Sequence, residues 1–491
     1  MPSPSPFPRI QASAIDGRAL NTRYKQAQLH RLQSALLQNI DAIKAAIQTD
    51  SNHGAPEVQA EIVLALTEIR THYLSLSLEK DLENEYRVAN GQDNPDAARP
   101  AGSGIAYILP STHTMFFGII AAVSAAIVGG CCIVLELTRT TMALPPLLRQ
   151  LLSEALDAET FAISEDRPDA SFLEKVLVVA QTGVPSPAIP QSLQSPINSK
   201  TVAIVDRTAD IKSAAHSLVT ARFAFGGRST YCPDIVLVHE FAMKAFVEAI
   251  IHHSSKYLSG ADGVERENAA VSNPRRSSPG LSTLDAAYKD PSARVLVSGS
   301  GWAVVEVHDR QSVLLRRKEK VAEKVLILHP FTSLDDAIDL CAGSETLAAT
   351  YAFATPASAK YLTQFIDAHV SFINHVPVDV LIGPAYPVNS AGRETRYSAS
   401  SFQVPRPQFV TESSTAHLAR AILDAPAGGS KASVKIWEEA LRPLPPTGQK
   451  TGPRIGFFEK GILTGLGITL VSVLGVVGAV GYYGVVFLRR V

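Results

Sequence analysis

The sequence predicts an α/β protein of two sheet-bearing units and a small bridging β element, ending in one transmembrane helix. Three observations carry this reading. Apolar runs of strand length alternate with runs of helical spacing from Ile105 to Asn374, the order of a largely parallel sheet with covering helices. The stretch Gly102 to Leu135 contains no Asp, Glu, Lys or Arg, the continuous apolarity of strands covered on both faces. The run Gly461 to Leu488 is uncharged again and is bounded by Lys460 on one side and Arg489 and Arg490 on the other.

Asn21 to Tyr86 reads mostly helical, because RLQSALLQNIDAIKAAI and AEIVLALTEIRTHYLSLSL repeat apolar residues at three- and four-residue spacing. A polar stretch, Asn90 to Gly104, interrupts that pattern. The apolar run after it is long enough to span a bilayer, but Pro110 and Gly129-Gly130 divide it into a strand at Ile105–Leu109, a helix over Met115–Ile127 and a strand at Cys131–Leu135. A helix over Leu147–Leu156 follows, then strands at Val176–Val179 and Thr201–Val205 and a helix over Ile211–Phe223. Between those two strands, Gln181 to Lys200 carries Pro185, Pro187, Pro190 and Pro196, so this half is expected to lack a crossover helix. Strands at Ile235–Val238, Ala293–Val297 and Ala303–Val307 bracket a hydrophilic insertion, Gly260 to Leu281, expected to be a surface loop. The body continues with a strand at Lys324–Leu328, a helix over Leu334–Ala342, a strand at Ala349–Phe353, a helix over Ala357–Phe365 and a strand at Val370–Asn374. Ala425 to Gly456, proline-rich and broken by a short helix at Val434–Leu441, is a tether.

The terminal run exceeds the roughly 20 helical residues that cross about 30 Å of hydrocarbon. Its Thr464, Thr469 and Ser472 can bond to carbonyls one turn back, and Tyr482 and Tyr483 suit an interfacial belt. Gly461 and Gly465 form a small-xxx-small pair where another helix could approach. The N-terminus lacks the apolar stretch of a secretory signal. The expectation is therefore a tail-anchored protein whose body faces the cytosol, with the endoplasmic reticulum favoured over the mitochondrion. A net charge of -1 offers no basic excess for nucleic acid. Cys131, Cys132, Cys232 and Cys341 make neither a disulfide framework nor a metal-ligand spacing.

From about Asn21 to Val410 the chain resembles the aldehyde dehydrogenase superfamily, its fungal forms and its membrane-anchored fatty-aldehyde branch in particular. The resemblance is carried by SGIAYILPSTHTMFFGIIAAVSAAIVGGCCIVLEL, RFAFGGRSTYCPDIVLVHE, LHPFTSLDDAIDL and SFINHVPVDVLIGPAYPVN with RYSASSFQVPRPQFV. It implies a Rossmann-type cofactor-binding-like domain at 10–205, a catalytic-type α/β domain at 206–385 and a bridging arm at 386–424, followed by the linker at 425–456 and the transmembrane helix at 461–488. The activity implied is oxidation of a lipophilic aldehyde with NAD or NADP: a cysteine thiolate attacks, amides hold the oxyanion, hydride leaves and a glutamate activates water.

Carried over residue by residue, that machinery is altered. The nucleophile position falls on Thr230, and the nearest cysteine, Cys232, is two residues on. His113 holds the place of the oxyanion asparagine, Glu136 that of the cofactor-ribose lysine, and Pro196 or a neighbour that of the general base. Thr182 and Gly183 are what remains of the glycine-serine turn under the pyrophosphate, and EKVLILHPF replaces the glutamate-phenylalanine-glycine-proline motif. The scaffold residues Asn374, Pro377, Gly383, Pro384 and Arg406 match. Two functions stand beside each other: a degenerate protein acting in binding or scaffolding at a membrane, and an active NAD(P)-dependent oxidoreductase using Cys232 after a loop rearrangement. A homo-oligomer, or a hetero-oligomer with an intact homologue, is the expected assembly.

Overall fold

The structure is a computed structural model that describes residues 6–94, 101–183, 191–258, 282–299, 301–342, 345–388, 395–427, 429–448 and 457–488. The chain divides into two compact units, Met1–Thr411 and Glu412–Val491.

The first unit opens with helices α1 (Pro8–Asp16), α2 (Thr22–Gln38), α3 (Ile40–Ser51), α4 (Ala55–Ser75) and α5 (Leu78–Ala89). Then come β1 (Ala101–Gly102), β2 (Ile105–Leu109), α6 (Met115–Gly129), β3 (Cys132–Glu136), α7 (Leu144–Ala155), β4 (Phe161–Ser164), α8 (Ala170–Leu173), β5 (Leu177–Ala180) and β6 (Ser192–Gln194). Strands β4-β3-β2-β5-β6 form a wholly parallel sheet. Its apolarity is continuous because both faces are covered: Ala106, Ile108, Ile133 and Leu135 pack toward α6, whereas Ile105, Tyr107, Cys132 and Val134 share a cluster with Ile10 of α1. Every residue of α6 is buried, so the long uncharged run is core and not a second span.

A second sheet is built from β7 (Thr201–Val205), α9 (Ile211–Phe223), β8 (Ile235–His239), α10 (Glu240–Leu258), α11 (Thr283–Lys289), β9 (Ala293–Gly299), β10 (Trp302–Val307), α12 (Val313–Arg316), β11 (Lys324–Phe331), α13 (Leu334–Cys341), β12 (Ala349–Phe353), α14 (Pro356–Phe365) and β13 (Ser371–Ile373). Its order is β13-β12-β7-β8-β11-β10-β9, parallel except for β9 against β10. β14 (Gln403–Val404) returns to pair antiparallel with β1. Phe402 beside it packs on α6: a Cβ on Gly129 would come within 2.4 Å of the Phe402 Cβ.

Several expectations shift. β7 belongs to the seven-stranded sheet, so the sheets change over before Thr201 and not after Val205. α1, β4 and β6 were not foreseen; β4 and β6 are short edge strands with little alternation to reveal them. β6 lies inside the proline-bearing segment and pairs parallel with β5. Residues 184–190 of that segment, and the insertion Gly260–Leu281, lie outside the described residues.

The second unit contains α15 (Ser414–Leu423), where a bridging arm was expected, then α16 (Lys431–Ala440) and α17 (Phe457–Leu488). α17 includes a 22-residue segment, Lys460–Gly481, that is long and apolar enough to cross a membrane, and the side chains of that segment are exposed. Thr464, Thr469 and Ser472 donate to the carbonyls of Lys460, Gly465 and Ile468, at 2.7, 2.9 and 2.9 Å, which removes their unmet donors from an apolar surrounding. The side chains of Tyr482 and Tyr483 lie outside the described set.

Candidate functional site

A cleft of about 600 Å³ opens in the first unit where the end of β5 and the start of α6 meet the N-terminal helices and the loops before β8 and β11. His113, Thr182 and Thr230 all line it. A second cavity of about 410 Å³ shares Ser51, His53, Arg228 and Ala322 with it.

The loop carrying Thr230 begins in a left-handed turn, with φ of 50° at Phe225 and 69° at both Gly226 and Gly227. Gly227 is required there, because a Cβ would meet the Glu323 carbonyl oxygen at 2.8 Å and that of Arg222 at 2.9 Å. Main-chain bonds then hold the loop: Thr201 Oγ1 donates to the Thr230 carbonyl at 2.8 Å and Tyr351 Oη to the Tyr231 carbonyl at 2.9 Å. The fully buried Arg222 guanidinium donates to the carbonyls of Glu323, Val321 and Pro233, tying the loop to the entry of β11. Because residues 229–233 are a turn and not a strand, Thr230 and Cys232 diverge. Thr230 reaches the cleft; Cys232 is fully buried and its Sγ donates to the Ala221 carbonyl at 2.9 Å. Burial pushes its thiol pKa upward, against thiolate formation.

His113 is bonded through Nε2 to the Leu381 carbonyl at 3.0 Å. A carbonyl only accepts, so Nε2 carries the proton and Nδ1 of the neutral ring is an acceptor. Burial, reinforced by His53, Arg228 and Arg396, lowers its pKa to about 4, and the ring is therefore neutral near pH 7. With Nε2–H committed to the Leu381 carbonyl, the neutral ring has no second N–H to donate. His53 is likewise lowered to about 4, by burial and then by Arg228 and Lys324.

Glu136 stands elsewhere. Its carboxylate accepts from Tyr107 Oη and pairs with Arg167 at 3.5 Å, on the sheet face of Cys132 and Val134. It is not among the residues lining the cleft. Gly183, at φ 102°, packs against Ile197, whose Cδ1 would lie 3.0 Å from an added Cβ. The segment expected to hold the general base contributes Ile197 to the cleft and no carboxylate.

A carboxylate comes from a direction the motifs did not indicate. Glu61 on α4 lines the cleft at 1% exposure; its Oε1 accepts from Phe117 N at 3.3 Å, and Oε2 is buried with no partner among the described residues. Burial raises its pKa to about 7 against the pull of the Phe117 and Phe116 amides. These are first-turn amides of α6, so the positive end of that helix is already faced by a side chain of the same chain. The signal available was a glutamate among Val58, Ile62, Ala65 and Ile69, the apolar stripe of α4. Lys320, also at the cleft, is held by Asp234 at 2.6 Å, and Asp234 further accepts from the Thr201 and Val321 amides.

No family model matches the sequence. The chain is 22% identical to rat aldehyde dehydrogenase family 3 member B1 over 69% of its own length and 75% of that protein's. It is 26% identical to aldehyde dehydrogenase family 3 comG of Dictyostelium discoideum, covering 47% of this chain and 52% of that one. Among solved structures, the substrate-bound AldH of Staphylococcus aureus superposes with a TM-score of 0.62 at 17% identity, over 83% of this chain and 94% of the other. The NADP complex of glyceraldehyde-3-phosphate dehydrogenase GapN from Methanocaldococcus jannaschii gives 0.59 at 12% identity, over 81% and 91%. With its two parallel-rich sheets and the β1–β14 ladder, the protein has the fold of the aldehyde dehydrogenases, and it carries in addition a C-terminal helix able to span a membrane.

Proposed function

We propose that this is a membrane-anchored protein of aldehyde dehydrogenase fold that does not perform thiol-dependent, NAD(P)-linked aldehyde oxidation and acts by binding or scaffolding. The observation that carries the reading is the exchange at the nucleophile loop: Thr230 occupies the cleft while the Cys232 thiol is buried on the Ala221 carbonyl. A reacting sulfur must lie about 3 Å from its carbonyl carbon. Bringing Cys232 out would break that bond and disturb the turn fastened by Arg222, Tyr351 and Thr201. The cofactor side agrees. Gly183, in the place the resemblance gives to the pyrophosphate turn, packs against Ile197, and Glu136, in the place of the ribose lysine, puts a carboxylate already engaged by Tyr107 and Arg167 where a cation is expected. These residues do not suit a dinucleotide.

Kinship with the membrane-anchored fatty-aldehyde branch and its fungal forms belongs to the same proposal. So do a cytosol-facing body at the endoplasmic reticulum, a lipophilic aldehyde or related amphiphile as ligand, and assembly with itself or with an intact homologue. The test is calorimetric titration of NAD and NADP into the full chain in detergent, with an assay of aldehyde-dependent NAD(P)H formation. The expected result is no saturable dinucleotide binding in the micromolar range and no turnover. Micromolar binding with turnover that Cys232→Ser abolishes would overturn the proposal.

A further inference from the structure

Between the body and α17 lie two short helices, α15 and α16, which pack on each other. Each is amphipathic. Val434 and Trp437 of α16, with Leu441 at its C-terminal cap, stand at i, i+3 and i+7, and Lys431, Lys435, Glu438, Glu439 and Arg442 occupy the other arc. Leu418 and Ile422 of α15 stand one turn apart on its apolar side. All five apolar residues are exposed; Trp437 is 61% exposed, and Leu444, just beyond α16, is 92% exposed. A face of this kind on a water-soluble surface is unfavourable unless something covers it.

We infer that the α15–α16 hairpin lies in the interface of the bilayer that holds α17, with Leu418, Ile422, Val434, Trp437 and Leu441 inserted among the lipid chains. The inference rests on reading α17 as a membrane anchor. The covering partner follows from the chain itself: α16 ends at Ala440 and α17 begins at Phe457, and the connection, even fully extended, reaches at most about 60 Å. The apolar face is thus confined near the bilayer at high effective concentration. A tryptophan on the apolar arc with lysines and an arginine opposite is the arrangement of an interfacial helix. Arg420, Lys431, Lys435 and Arg442 are nearly balanced by Asp424, Glu438 and Glu439, so insertion depends on apolar burial and needs no anionic lipid.

Trp437 and Trp302 are the only tryptophans, and Trp302 is 5% exposed, so Trp437 can be isolated as the difference between the wild type and Trp437→Phe. The full chain is placed in phosphatidylcholine nanodiscs, with and without lipid brominated near the headgroup end of its acyl chains. The expected result is Trp437 fluorescence quenched by the brominated lipid, shielded from iodide, and unchanged by added salt or anionic lipid. The pair Leu418→Glu and Leu441→Glu, both at exposed positions, is expected to cut the lipid quenching several-fold and restore iodide access. Shielding from iodide without lipid quenching would mean that protein covers the face, either the body or a second copy, and would overturn the inference. Free access to iodide in nanodiscs would overturn it as well. Failure of the chain to enter nanodiscs would sink the anchor reading, a result distinct from either.

Discussion

At the scale of single residues, the cleft is governed by what burial does to a few polar groups. Glu61 has a folded pKa of about 7 against an ordinary value of 4.5, so the native state holds this proton more tightly than the unfolded chain does. Its stabilising contribution is complete below about pH 4.5 and is lost as pH rises through about 7. Glu61→Gln cannot ionise and should gain on the wild type by roughly 3 kcal/mol between pH 4.5 and pH 8, read as the pH dependence of the difference in unfolding free energy. His53 and His113, lowered to about 4, act with the opposite sign between about pH 6.5 and 4, but they are common to both proteins and cancel in the difference. Cys232, fully buried with a raised thiol pKa, should resist iodoacetamide in the native chain and react only under denaturing conditions; rapid native labelling would show that the loop opens.

At the scale of elements, the turn before Thr230 carries the arrangement. Gly227→Ala would place a Cβ against two carbonyl oxygens at φ 69°, and should cost about 3 kcal/mol by chemical denaturation. A loss below about 1 kcal/mol would mean that the turn relaxes easily and that the separation of Thr230 from Cys232 is not rigid. The strands whose apolar residues are buried on both faces were legible at their ends: Ile105–Leu109, Thr201–Val205 and Ala349–Phe353 lie where the sequence places them. β4 and β6 were not, because an edge strand of three or four residues has too little pattern to stand apart from a loop. α1 was missed for a related reason: its apolar residues make sense only against the β2–β3 face that they cover.

At the scale of the whole molecule, the body has extensive clusters of its own, whereas α17 presents apolar side chains outward. Ending the chain after Gly456 should move the protein from the alkali-resistant membrane pellet to the soluble fraction with its cooperative unfolding retained. A truncated chain that stayed in the pellet would assign membrane attachment to another part, with α15 and α16 the first segments to examine. The proposed change at the loop of Thr230 and the retained fold are physically compatible. The sheets are held by burial spread over many strands, while the chemistry depends on a few loop atoms, so the second can change without loss of the first.

By itself the sequence determined the class of the fold, the alternation of strands and helices and the uncharged terminal helix, because periodicity and apolar run length are local properties. Only the tertiary structure decided that Cys232 turns into the core, that the His113 ring is committed to the Leu381 carbonyl, that Glu136 lies outside the cleft, and that Glu61, distant in the chain, faces the start of α6. Those outcomes depend on which way a side chain points in a turn and on which helix packs beside it, and both are set by long-range packing that no local pattern encodes.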